Sequence, residues 1–84
     1  MNMNTNNIDE TVLALVKELT GDDTKSITMD ENLSNVGFNS LVFIKMVVIM
    51  EDTFHFVFDD EMLDYNNYQT LQDISDYISL KIAN

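Results

Sequence analysis

Eighty-four residues, 45% of them apolar, make one small domain with a modest core and no room for a second. The chain has no Cys, which excludes a disulfide framework, a zinc knuckle and a thiolate nucleophile, and fits a reducing cytoplasm. Fifteen acids oppose Lys17, Lys25, Lys45 and Lys81, with no Arg, for a net charge of −11; this leaves no cationic footprint for nucleic acid, repels anionic membranes and steers the domain toward basic partners.

The Asn-rich residues 1–7 read as a flexible lead-in, without the basic and apolar regions of an export signal. Residues 8–84 form the single domain. Ile8, Val12, Leu15, Val16 and Leu19 recur at helical spacing. Asn7 is the expected cap of this first helix, with Glu10 reaching back as in a capping box, and Gly21 is its expected stop. A long polar connection follows, Asp22 to Asn39, lightly anchored by Ile27, Met29, Leu33, Val36 and Phe38. Connections of this length are usually functional or contain short turns.

The second helix is predicted from Ser40 to about Phe54. Its apolar residues, from Leu41 to Met50, cover nearly the whole circumference around the one cation, Lys45. This run is too short to span a bilayer. In a domain this small, such a helix presents one face to a partner. Phe56 and Phe58 alternate as a short extended link, and Asp59, Asp60 and Glu61 place acids where a short third helix would begin. Thr70-x-x-Asp73 is a capping pattern for a last helix that turns Leu71, Ile74 and Ile78 to the core. The expected architecture is all-α: a small four-helix bundle of three longer helices and one short third helix, with a long loop between helices one and two.

Gly37-Phe38-Asn39-Ser40-Leu41, followed by Ile44, Val47, Met50, Glu51 and Phe54, resembles the acyl and peptidyl carrier protein family. The stretch TLQDISDYI, Thr70 to Ile78, is similar to that family's last helix. The resemblance covers roughly residues 8–80. It implies a freestanding carrier that catalyses nothing itself. Ser40 would accept 4′-phosphopantetheine from coenzyme A through a phosphopantetheinyl transferase, with Gly37 and Asn39 completing the attachment site. The arm would carry acyl or aminoacyl groups as thioesters. An activating enzyme would load it, and a downstream transferase, synthase or condensing enzyme would unload it. The protein would be a cytoplasmic monomer that neither binds nucleic acid nor inserts in membranes.

The residues themselves agree with this. A phosphodiester on the first residue of a helix meets unpaired N–H groups and the positive end of the helix dipole. Read without the family, Ser40 is a helix N-cap. Asn39 departs from the pattern, standing where acyl carriers usually have Asp and peptidyl carriers often have His. Asn keeps the shape and one acceptor but loses the charge, which argues against a transferase built for primary-metabolism carriers. The front of the second helix is apolar where fatty-acid carriers present acids. The expected partner face is therefore Leu41, Val42, Phe43, Ile44, Lys45, Val48, Ile49 and Asp52, and the expected setting is nonribosomal peptide or polyketide assembly. The alternatives are a fatty-acid carrier, a D-alanyl carrier, or an unmodified helical adaptor.

Two other constellations carry less. His55 could pair with Ser40, yet no orienting acid, oxyanion site or Gly-x-Ser-x-Gly elbow accompanies it. Asp59, Asp60, Glu61 and Asp64 lack the alternating ligands and central glycine of a calcium loop, and read as helix-start and solvated acids.

Overall fold

A computed structural model describes residues 5–21 and 27–83, with side chains described from residue 7 onward. Three α-helices carry the fold: α1 (Thr5–Thr20), α2 (Ser40–Phe54) and α3 (Leu71–Ala83). The domain is a small all-helical bundle in which α1 packs against both α2 and α3. Ile8, Val12 and Val16 of α1, Met46 and Met50 of α2, and Leu71, Ile74 and Ile78 of α3 are almost wholly buried. Their spacing is the helical repeat read from the sequence. Leu19 packs against this core from its edge.

The first helix starts earlier than expected. It already includes Thr5, so Asn7 lies inside it and cannot be its cap. Thr11 instead donates its hydroxyl to the Asn7 carbonyl at 2.8 Å. No Gly or Pro separates Thr5 from the apolar repeat, so nothing stops the helix from extending into the Asn-rich segment. The C-terminal limit falls where it was expected, with Gly21 in the left-handed region at φ 71°.

The described part of the connection is fastened to the start of α3. Gln72 N–H donates to the Met29 carbonyl at 2.8 Å, and Leu33 N–H donates to the Gln69 carbonyl at 3.0 Å. Between these bonds Asn32 and Thr70 form an isolated antiparallel bridge. Ile27, Leu33, Val36 and Phe38 are buried, Met29 partly so, and Leu33–Asn35 winds into a 3-10 turn. The polar groups of the segment thus find partners, which lets a non-helical stretch lie against the core.

The short third helix is not an α-helix. Its place is taken by two 3-10 turns, Asp60–Met62 and Tyr65–Asn67. Asp64 separates them and caps the second, accepting the Asn66 N–H on Oδ1 at 3.0 Å. An Asp in this position satisfies a backbone donor from outside a helix and so favours turns over continuous helix. Before these turns, Asp59 is fixed to α3. Its N–H donates to the Tyr77 hydroxyl, which donates to Asp59 Oδ2, both at 2.9 Å, and Lys81 lies 3.0 Å from Oδ1.

The capping box of α3 forms as the sequence indicates. Asp73 N–H donates to Thr70 Oγ1 at 3.2 Å, and Asp73 Oδ2 accepts from the Thr70 and Gln69 N–H groups at 3.1 and 2.9 Å. Asp9 of α1 takes hydrogen bonds from the fully buried Ser75 hydroxyl and from Gln72 of α3. This polar pair of contacts fixes the register of the two helices within an otherwise apolar seam.

Candidate functional site

The loop before α2 is shaped by one glycine. Gly37 sits at φ 74°, and a Cβ there would meet only Thr20 Cγ2, at 3.9 Å. Space is not what selects glycine here. The left-handed backbone is. The turn buries Phe38 and delivers Asn39 in extended geometry at the head of the helix.

Asn39 is the N-cap of α2. Its Oδ1 accepts the Val42 N–H at 2.9 Å, and its carbonyl accepts the Phe43 N–H at 2.9 Å. Ser40 is therefore the first helical residue and not the cap. Its side chain is exposed, and its hydroxyl makes no hydrogen bond to any described residue. The three residues expected at the attachment site thus differ in their structural roles: Gly37 turns the chain, Asn39 caps the helix, and Ser40 keeps an exposed hydroxyl that no described residue engages.

The electrostatic setting is unusual for so acidic a chain. Between Leu33 and Met50 there is no Asp or Glu, and the one charge is Lys45. The first turn of α2 holds no acid. The first turn of α2 thus sets no carboxylate of its own against the positive end of the helix dipole at Ser40, a favourable place for a phosphodiester. The residues present therefore fit a phosphate-linked prosthetic group on Ser40.

Beyond Ser40 the expected partner face divides. Leu41, Ile44 and Val48 are exposed, 63, 48 and 61% respectively, with Lys45 and Asp52 also exposed and Ile49 half-buried. The spacing i, i+3, i+7 puts the three apolar residues on one stripe. Val42 and Phe43 are corrections to the expected face: both are buried, Phe43 almost completely. Phe43 is the hub of the aromatic cluster, its ring 5.7 Å from Tyr68, 6.1 Å from Phe38 and 6.3 Å from both Phe58 and Tyr65. Edge and tilted contacts of this kind add to area burial and hold the ring inside.

Sequence reasoning missed one part of this region. Ser40, Phe43, Ile44, Leu63, Asp64 and Tyr65 line an open cleft of about 120 Å³. Leu63, Asp64 and Tyr65 reach it because the chain between α2 and α3 folds into 3-10 turns beside Ser40, a placement that no local pattern signals.

His55 is far from the serine. It ends α2 in left-handed geometry, φ 58°, with its N–H on the Glu51 carbonyl. At a rise of about 1.5 Å per residue it lies roughly 20 Å along the helix from Ser40, so the two form no catalytic pair. Asp59 serves in the contact with Tyr77 and Lys81, and Asp64 in a turn cap.

A helical bundle with an exposed, uncapped serine at the head of its second helix is the architecture of a carrier domain. Residues 10–78 match the family described as phosphopantetheine attachment site, and the chain belongs to that family of phosphopantetheine-binding carrier proteins. A D-alanyl carrier protein from Abiotrophia defectiva is 31% identical over 77 residues, covering 90% of this chain and 98% of that protein. No solved structure gives a significant match. Among the described residues no helix is long and apolar enough to cross a membrane.

Proposed function

We propose that this chain is a freestanding aminoacyl carrier, modified with 4′-phosphopantetheine on Ser40 and loaded with a small amino acid, D-alanine by likeness to the relative. One observation carries the site. Asn39 takes the capping bond, so the Ser40 hydroxyl is exposed and uncommitted at the positive end of α2. In the modification, Ser40 Oγ loses its proton to the transferase and bonds to the phosphorus bearing the pantetheine arm. The phosphoanhydride bond of coenzyme A breaks, and adenosine 3′,5′-bisphosphate leaves. The dipole end and the acid-free stretch around Ser40 favour the approach of this anionic donor. When attached, the arm supplies a terminal thiol for thioester linkage, and the chain's own residues do no chemistry on the cargo.

The cargo assignment draws on likeness to the relative. The apolar front of α2 gives some support to peptide or polyketide assembly instead, since it lacks the acids of a fatty-acid carrier. The exposed stripe Leu41, Ile44 and Val48, with Lys45, is the surface for the transferase and the activating enzyme. Both need coenzyme A or ATP, which supports a cytoplasmic setting.

The test is intact-protein mass after incubation with coenzyme A, magnesium and a broad-specificity transferase, beside Ser40→Ala. A gain of one phosphopantetheine on the wild type alone supports the assignment. Its absence, even with the transferase of the source cell, sinks it in favour of an unmodified adaptor. The group released by mild alkali from carrier purified out of its own cells then names the cargo. Alanine of D configuration supports the reading, and a peptide or ketide chain would replace it with specialised assembly.

A further inference from the structure

We infer that Asp73, at the head of α3, is a positioning residue for the modification of Ser40, acting through the connection that delivers the serine; this rests on the proposed function. The carboxylate does more than cap its own helix. Asp73 Oδ2 accepts the Gln69 N–H at 2.9 Å and the Thr70 N–H at 3.1 Å. The peptide group that ends in the Thr70 N–H begins with the Gln69 carbonyl, and that carbonyl accepts the Leu33 N–H at 3.0 Å. A peptide group is planar, so holding its N–H aims its C=O. A hydrogen bond from the N–H to a carboxylate also polarises the group and makes the carbonyl a better acceptor. Asp73 thus reaches the connection through one shared peptide.

Two further bonds seat the connection on the same helix start. Gln72 N–H donates to the Met29 carbonyl at 2.8 Å, and Leu71 N–H donates to the Glu31 carbonyl at 3.4 Å. These donors are among those that a helix leaves unpaired at its N-terminus. The connection supplies the acceptors that α3 needs, and α3 supplies the anchor that the connection needs.

From Leu33 to Ser40 little slack remains to absorb a loosened anchor. Asn35 N–H donates to the Asn32 carbonyl at 2.9 Å and Val36 N–H to the Leu33 carbonyl at 3.3 Å, which closes the 3-10 turn. Val36 and Phe38 are buried, the Phe38 ring 6.1 Å from Phe43 and 5.9 Å from Tyr65. Gly37 makes the turn between them, and Asn39 is committed to the cap of α2. A shift at Leu33 therefore passes along bonded and packed residues to the one that presents the hydroxyl. A transferase must bring this oxygen in line with the phosphorus of its donor, and a misplacement of about 1 Å can cost about a hundredfold in rate. The exposed stripe Leu41, Ile44 and Val48 lies on α2 itself and does not depend on the anchor. Loosening the anchor lowers kcat and spares KM.

The test compares Asp73→Ala, Asp73→Asn and Ser75→Ala as transferase substrates and by amide hydrogen exchange, all well below their melting temperatures. In Asp73→Ala the exchange protection of the Leu33 amide should fall roughly fivefold, the worth of one helix cap. Its kcat for modification should fall about three- to tenfold at unchanged KM. Asp73→Asn keeps an acceptor oxygen of the same reach and should recover most of both. Ser75→Ala removes a buried hydroxyl from the side of α3 that meets Asp9 and leaves the bonds to the connection in place. It should lower the melting temperature without changing kcat. Wild-type kcat in Asp73→Ala would overturn the inference. So would an equal loss in Ser75→Ala, which would reduce Asp73 to a structural role. A wild type that gains no phosphopantetheine would instead remove the proposed function, while the exchange comparison still reports whether Asp73 anchors the connection.

Discussion

Asn39 caps the helix that Ser40 begins: its Oδ1 lies 2.9 Å from the Val42 N–H, and the neighbouring hydroxyl bonds to no described residue. Serine and asparagine are equally good caps, so the local sequence permitted either arrangement. The folded chain takes one of them: Phe38 is buried and Asn39, next to it, makes the capping bond.

Exchanging these two residues for alanine should therefore have unequal effects. Asn39→Ala removes a cap and should cost about 1 kcal/mol in urea unfolding. Ser40→Ala removes an exposed hydroxyl and should stay within about 0.5 kcal/mol, while abolishing the mass gain. Equal losses would mean that Ser40 shares in capping.

The division of α2 into a core side and a free side gives a second contrast. Phe43→Ala should destabilise by about 3–5 kcal/mol, because it empties the centre of the aromatic cluster. Ile44→Ala and Val48→Ala should leave stability within about 0.5 kcal/mol yet slow modification by the transferase. Thermal melts beside transferase kinetics separate the two kinds of residue. Unfolding of the Val48 variant would show that the exposed stripe is part of the core.

The contact between Asp59 and α3 makes stability depend on pH. Hydrogen bonds from Lys81 and then Tyr77 hold the Asp59 carboxyl below its ordinary value of 3.8. A carboxylate with a depressed folded-state pKa contributes stability that is present above 3.8 and is lost as pH falls through the folded value. Lys81 mirrors this at the other end. Its hydrogen bond to Asp59 raises it above 10.5, so its contribution is full below 10.5 and disappears as pH rises through the folded value. Denaturation of the wild type and Asp59→Asn across the range should diverge at neutral pH and converge in acid. Parallel curves down to the lowest pH would remove Asp59 from the account.

Salt should affect partner docking only modestly. The proposed docking surface is an apolar stripe with one lysine and no acid before Glu51, so on that proposal little Coulomb attraction is available to screen. Modification rates measured between low and high ionic strength should change by less than about tenfold. A steep fall with salt would mean that acids outside α2 steer the encounter.

The sequence was informative wherever a local rule had no rival. Ser40–Phe54 and the Thr70–Asp73 capping box could be read directly because apolar repeat, cap residue and helix length all agree. Asn7 failed as a cap because helix propensity carries past it and no breaker intervenes. The short third helix became two 3-10 turns because Asp64 offers its carboxylate to the Asn66 N–H, a choice that acid content alone does not reveal.

By itself, then, the sequence determined a small acidic helical domain, a serine at the head of an apolar helix, and the family to which that pattern belongs. The first two follow from periodicity and capping, which act over a few residues, and the family from the resemblance of the residues around Ser40 and in the last helix. Only the tertiary structure decided which sides of α2 are buried. With apolar residues all around the helix, periodicity cannot say which side faces inward. Contacts from distant residues settle it: Phe58, Tyr65 and Tyr68 enclose Phe43, while Leu41, Ile44 and Val48 meet no such cover. The cleft beside Ser40 arises in the same way, from Leu63, Asp64 and Tyr65 brought back across the bundle.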